Sequence, residues 1–218
     1  MPNILDDYLN AFKTKCDWSL QVYFDTLSLY NESTVEGFTV DMKDMIIENL
    51  ILNIYSSWEQ FLESIFIGYM LGNKSDNGTE ITKFVTPTNE EHAYNLIKNV
   101  TLYPDWADIE KVLINAENFF DDGGPFVLLK TLKGELYAIK KVRNAIAHVS
   151  KKAKQDFENL VRGKVGYLPA DISPVKFVSE YKVGTRRNSP TYFEHYVEFL
   201  KNAATMLVEY QKEDDSLT

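Results

Sequence analysis

Between Phe38 and Leu71 the chain sets Ile47, Leu50, Ile51, Ile54, Trp58, Phe61, Leu62, Ile65 and Tyr69 at spacings of three and four. That is one continuous apolar stripe on a long helix, ending at Gly72-Asn73, a good C-terminal stop. A face this long and this greasy must be covered by other helices. The rest of the chain supplies them. Only ten glycines and seven prolines punctuate 218 residues, so long helices are expected and the class is all-α.

A first amphipathic segment, Leu5 to Tyr30, repeats Tyr8, Leu9, Phe12, Cys16, Leu20, Tyr23, Leu27 and Tyr30. The Asn31–Gly37 stretch, NESTVEG, reads as a polar turn. After the central helix, residues 74–87 lapse into turn residues, with a short extended piece expected at Ile81–Val85. Thr88 with Glu91 forms a capping box that would start a helix at Asn89, running to about Asn99. Pro104-Asp105 opens another, which stops before the Asp121-Asp-Gly-Gly-Pro125 loop. Pro125 suits a helix start, and Phe126, Leu128, Leu129, Leu132 and Leu136 lead onward. A short helix at Lys154–Val161 follows, then an irregular 163–189 region with Lys176–Val183 extended. Ser189-Pro190 opens the last helix. The simplest partition is one helical domain over 1–218, a bundle of long antiparallel core helices with an inserted elaboration at 73–124.

Composition narrows the class further. One cysteine, Cys16, excludes an intramolecular disulfide framework and fits a reducing compartment. No apolar run reaches the roughly 18 residues of a membrane span, and the N-terminus is acidic, so a cytoplasmic protein is expected. The net charge of −9 argues against nucleic acid as a partner. Its distribution reverses part of that. Between Lys130 and Lys154 lie eight lysines and arginines against Glu135 alone. Such a segment suits either a localised phosphate-binding surface or a solvated helix paired with acidic neighbours.

The segment contains Tyr137–Lys152, YAIKKVRNAIAHVSKK. As a helix it divides into an aliphatic face of Ile139, Val142, Ala145, Ile146 and Val149 and a polar face of Lys140, Arg143, Asn144, Ala147, His148 and Lys151. Asn144 and His148, at i and i+4, can touch. Arg143 and His148, at i and i+5, stand about 140° apart, and Ala147 leaves room between them for another backbone or a ligand. No other constellation competes. The three histidines, His92, His148 and His195, lack metal-ligand spacing, and no phosphate-binding glycine loop or nucleophile elbow is present. Asp121-Asp122 reads as a turn feature. Glu59 and Glu63 border the central stripe and could partner Arg143 or a lysine. The Arg186-Arg187 pair either touches RNA or is solvated.

The sequence V-R-N-A-I-A-H, with Arg143, Asn144 and His148, resembles the hallmark R-x-x-x-x-H of the HEPN superfamily, all-helical domains with a polar residue often following the arginine. Ser57–Glu63 in the long helix and Gly124-Pro125-Phe126 before the motif helix also resemble that superfamily. The likeness is greatest to its RiboL-PSP-type prokaryotic branch and covers about Tyr8 to Lys152. It implies a metal-independent endoribonuclease, needing no cofactor, whose two protomers meet at their motif helices. RNA would be the substrate, the role a toxin or defence effector, and an antitoxin protein a possible partner. One imidazole cannot both take the 2′-hydroxyl proton and give one to the leaving 5′-oxygen, so a homodimer through the 137–152 helix would supply two copies of His148. Arg143 would hold the scissile phosphate, and Asn144 would orient His148 or a phosphate oxygen. Lys140, Lys141, Lys151 and Lys152 would steer the RNA backbone. The product would carry a 2′,3′-cyclic phosphate. Two other readings stay open: a catalytically silent HEPN module that binds RNA, a nucleotide or a partner protein, and an unrelated helical protein with a chance motif.

Overall fold

The computed structural model describes residues 3–32, 36–100 and 104–212. The middle of the Asn31–Gly37 turn, Thr101 of an Asn99-Val-Thr101 sequon, and the chain after Lys212 lie outside the described residues. The chain is all-α. Its helices are α1 (Ile4–Asn31), α2 (Val40–Met70), α3 (Glu90–Val100), α4 (Ile109–Phe119), α5 (Leu129–Ala147), α6 (Lys151–Val165), α7 (Pro174–Glu180) and α8 (Tyr192–Val208). Among the described residues, extended pairing is limited to two isolated bridges, Lys83 with Phe120 and Lys182 with Thr191.

Helix ends follow local hydrogen bonding, and several differ from the periodicity. Asn89, not Thr88, caps α3: its Oδ1 accepts from the backbone N–H of His92 at 2.8 Å. Thr88 instead donates its N–H to Nδ1 of the His92 ring at 3.2 Å. Helix α4 begins after Asp108, whose carboxylate accepts from Glu110 N, rather than at Pro104. Residues Lys176–Val183, expected to be extended, contain most of α7. Ser173 caps that helix, Pro174 opens it, and Val175, Phe177 and Val178 are buried. Helix α6 is longer than its apolar pattern, because Ser150 starts it and Gly166, at φ +91°, ends it. Thr191 and Glu194 form a reciprocal cap for α8: Thr191 N donates to Glu194 Oε2 at 2.8 Å, and Glu194 N to Thr191 Oγ1 at 3.4 Å.

The contact pattern divides the chain into two compact units, each assembled from separated segments. The first comprises 1–13, 58–133 and 201–218. Its core is aromatic. Phe12 stacks on Phe61 at 5.2 Å, and Phe66, fully buried, meets Trp106, Phe119, Phe120 and Phe126. Glu63 accepts from the Trp106 indole N–H at 2.6 Å, which answers the question of its partner. The 73–124 stretch thus contributes Trp106, Phe119 and Phe120 to this core. The Asp121–Leu128 segment is a tight irregular turn, with Gly123–Phe126 buried inside it. Asp122, Gly123 and Gly124 all take positive φ there.

The second unit comprises 14–57 and 134–200. Tyr23 stacks on Phe193 at 4.2 Å, and Phe177 stacks on Tyr192 at 4.4 Å. Ile139 and Val142 of α5 face Ile51, Ile54 and Tyr55 of α2 across a small apolar void of about 20 Å³. That contact follows from the aliphatic stripe read in the sequence. It anchors the motif helix.

Candidate functional site

Helix α5 carries Arg143 and Asn144 in its last turn and ends at Ala147. His148 closes it, donating its backbone N–H to Asn144 O at 3.0 Å. The expected single helix through Lys152 is therefore two helices. Ser150 breaks the run: its hydroxyl accepts from Ala153 N at 3.1 Å and caps α6. The aliphatic stripe stops with the helix. Ile139 and Val142 are buried, Ala145 and Ile146 are half-buried, and Val149 is fully exposed. Lys151 and Lys152 belong to the start of α6, not to the motif helix.

The break changes who meets whom. Lys141, Asn144, His148 and Lys152 line one polar recess of about 210 Å³, with Asp156 as its acid. Arg143 is not among the residues that line it. Its guanidinium donates to Asn144 Oδ1 at 3.0 Å and lies 5.6 Å from the centre of the Tyr55 ring, within cation–π range. Asn144 thus holds Arg143 with its carbonyl oxygen. Lys140 sits on α5 but lines neither this recess nor the neighbouring groove. Lys151 lines the groove, together with His148 and Lys154.

The electrostatics of α6 are unusual. A helix N-terminus carries about half a positive charge and normally attracts acids. Here the first turn has no acid and begins Lys151-Lys152-Ala153-Lys154. Lys154 approaches Glu158 one turn on at 4.0 Å, and Asp156 lies in the recess with Lys141 and Lys152. Three like charges at a positive helix end are mutually unfavourable in the free chain, and a polyanion relieves them.

The one acid of the basic segment has a different task. Glu135 on α5 receives His195 Nε2 of α8 at 2.8 Å and Lys164 Nζ of α6 at 2.6 Å. The hydrogen bond from His195 first, then Lys164, holds its carboxyl below the ordinary carboxylate value. His195 is accordingly part of a clamp joining three helices. Among the described residues, no three His, Cys, Asp or Glu side chains come together as a metal site would need. Nor is any helix among them long and apolar enough to cross a membrane.

Of two residues near the site that the sequence reading passed over, only Tyr55 had no readable signal. Tyr55 reaches Arg143 from a helix nearly ninety positions earlier, and only folding pairs them. Ser150 did have a signal, being a favoured capping residue ahead of an amphipathic stretch. Compared with family models, with characterised proteins and with solved structures, the chain matches none of them.

Proposed function

We propose that this protein is a HEPN-type, metal-independent endoribonuclease acting as a homodimer, with Arg143, Asn144 and His148 at its centre. The observation that carries the reading is the position of His148. An exposed imidazole stands where α5 ends, sharing a recess with Asn144, Lys141 and Lys152, beside a helix that starts with three lysines. Phosphate is the ligand that such a surface favours.

The chemistry is an internal transesterification. The ribose 2′-oxygen forms a bond to phosphorus as the bond to the 5′-oxygen breaks. His148 takes the 2′-hydroxyl proton, and His148 of a second copy donates one to the departing 5′-oxygen. Arg143, pre-oriented by Asn144 and Tyr55, faces the phosphate of that composite site and stabilises charge on it. Lys141, Lys151 and Lys152 hold the flanking backbone, while Lys140 has the weakest claim. A cytoplasmic toxin or defence effector, restrained by an antitoxin protein, is the setting this reading suggests.

A second reading has one observation in its favour. Within a single copy, Arg143 turns towards Tyr55 and Asn144 rather than lining the recess with His148. A module that binds RNA without cutting it would tolerate that separation. One experiment divides the two: RNA is incubated in EDTA with the wild type, Arg143→Ala and His148→Ala, and oligomeric state is measured by light scattering. The nuclease reading expects a dimer whose cleavage is lost in both variants. A strict monomer at micromolar concentration, or RNA that survives equally with all three, removes it.

A further inference from the structure

Two concavities share His148 and Ser150, both within the second unit. One is the polar recess with Lys141, Asn144 and Lys152. The other is a groove of about 450 Å³, whose apolar lining includes Ala145, Phe157, Ile172 and Pro174. Lys151 and Lys154 also line it, with Glu158, which pairs with Lys154 at 4.0 Å and Arg162 at 3.8 Å. We propose that this groove receives an unpaired nucleobase of an RNA strand whose adjoining phosphate occupies the recess.

The argument is one of chemistry and size. A groove of this volume falls within the range of sites for small organic groups, about 300–1,000 Å³. Its lining offers apolar contact, and the half-buried Ile172 and Pro174 leave surface for a planar ring. Lys151 and Lys154 in its lining offer cations to the phosphate that adjoins such a ring. Glu158 supplies an acceptor suited to an exocyclic amine. A paired base cannot enter, because its polar edge and both faces are already engaged. The segment holding Ile172 and Pro174 lies outside the stretch that resembles HEPN proteins, so this feature belongs to the present chain.

The proposal rests on the RNA-binding part of the proposed function and not on cleavage, so its test uses RNA that cannot be cut. A fluorescent 2′-fluoro tetranucleotide is compared with an equally charged tetramer of abasic sugars, by anisotropy, against the full chain. Ile172→Trp fills the groove, Ile172→Ala strips its apolar lining, and circular dichroism checks that both fold. The expected result is that the wild type prefers the base-bearing tetramer by at least about tenfold, the scale of one stacking contact, and that both variants lose most of this preference. Equal binding of the two tetramers by the wild type overturns the groove assignment while leaving the RNA reading intact. A preference that survives in both variants also overturns it, since the base is then read elsewhere. Failure of both tetramers to bind removes the groove assignment and RNA binding together.

Discussion

The Arg143 guanidinium donates to Oδ1 of Asn144 at 3.0 Å while lying 5.6 Å from the centre of the Tyr55 ring. A long cation that would otherwise sample many rotamers is held by the residue that follows it and by an aromatic face. Removing the amide should therefore cost geometry rather than charge. Asn144→Ala is expected to lower kcat for RNA cleavage about tenfold or more with a smaller change in KM. Arg143→Lys should fail to restore activity, since an ammonium lacks the planar fork. An Asn144→Ala enzyme with wild-type kcat would show that the hydrogen bond positions nothing of consequence.

Ser150 separates the two helices of the site. Ser150→Ala should destabilise the fold by about 1 kcal/mol, the usual worth of an N-cap, and lower Tm by about 2–4 °C. Ser150→Asp keeps the cap and should keep Tm, yet it places a negative charge between the recess and the groove. RNA affinity should fall in the aspartate variant alone. Equal affinities in the wild type and Ser150→Asp would argue that nucleic acid binds elsewhere.

Ala147 is exposed on the final turn of α5, one residue from His148. If two copies meet there, a long charged side chain must separate them. Ala147→Glu is expected to melt like the wild type, to sediment as a monomer at concentrations where the wild type is a dimer, and to lose cleavage. A dimeric Ala147→Glu protein would place the interface on another face.

The Glu135 clamp predicts a pH dependence with a definite sign. Its folded pKa is depressed from 4.5, chiefly by His195 and then Lys164. The stability this contributes is present above the unfolded value and is lost as pH falls through the folded one. Urea unfolding should therefore show Glu135→Gln less stable than the wild type at pH 7, with the gap closing as pH falls below about 4. A gap that stays the same between pH 7 and pH 3 would mean that the carboxylate charge is not what matters.

Much of this architecture was legible beforehand because helix periodicity is a local signal. Helices α1 and α2 fall within two residues of the Leu5–Tyr30 and Phe38–Leu71 segments. The stripe of α5 correctly marks Ile139 and Val142 as buried. Periodicity fails where a single polar side chain ends a helix. Ser150 cuts the Tyr137–Lys152 pattern in two, exposes Val149 and moves Lys151 and Lys152 to another element. The Lys176–Val183 run reads as extended because a short apolar run looks alike on a strand and on a buried helix. Ser173 and Pro174 decide for a helix. Within the site, the residue types were legible and their pairings were not. Asn144 binding Arg143, and Tyr55 lying beneath it, depend on rotamers and on a partner far along the chain.

The central step proposed for this protein is an internal attack by the ribose 2′-hydroxyl, driven by His148. Its most direct measurement is the chemistry of the cut ends, read by mass spectrometry after digestion of an oligoribonucleotide in EDTA. The wild type should leave 2′,3′-cyclic phosphate and 5′-hydroxyl ends, and His148→Ala no such ends above background. Cleavage that persists in His148→Ala, or ends bearing a 5′-phosphate and a 3′-hydroxyl, would contradict it.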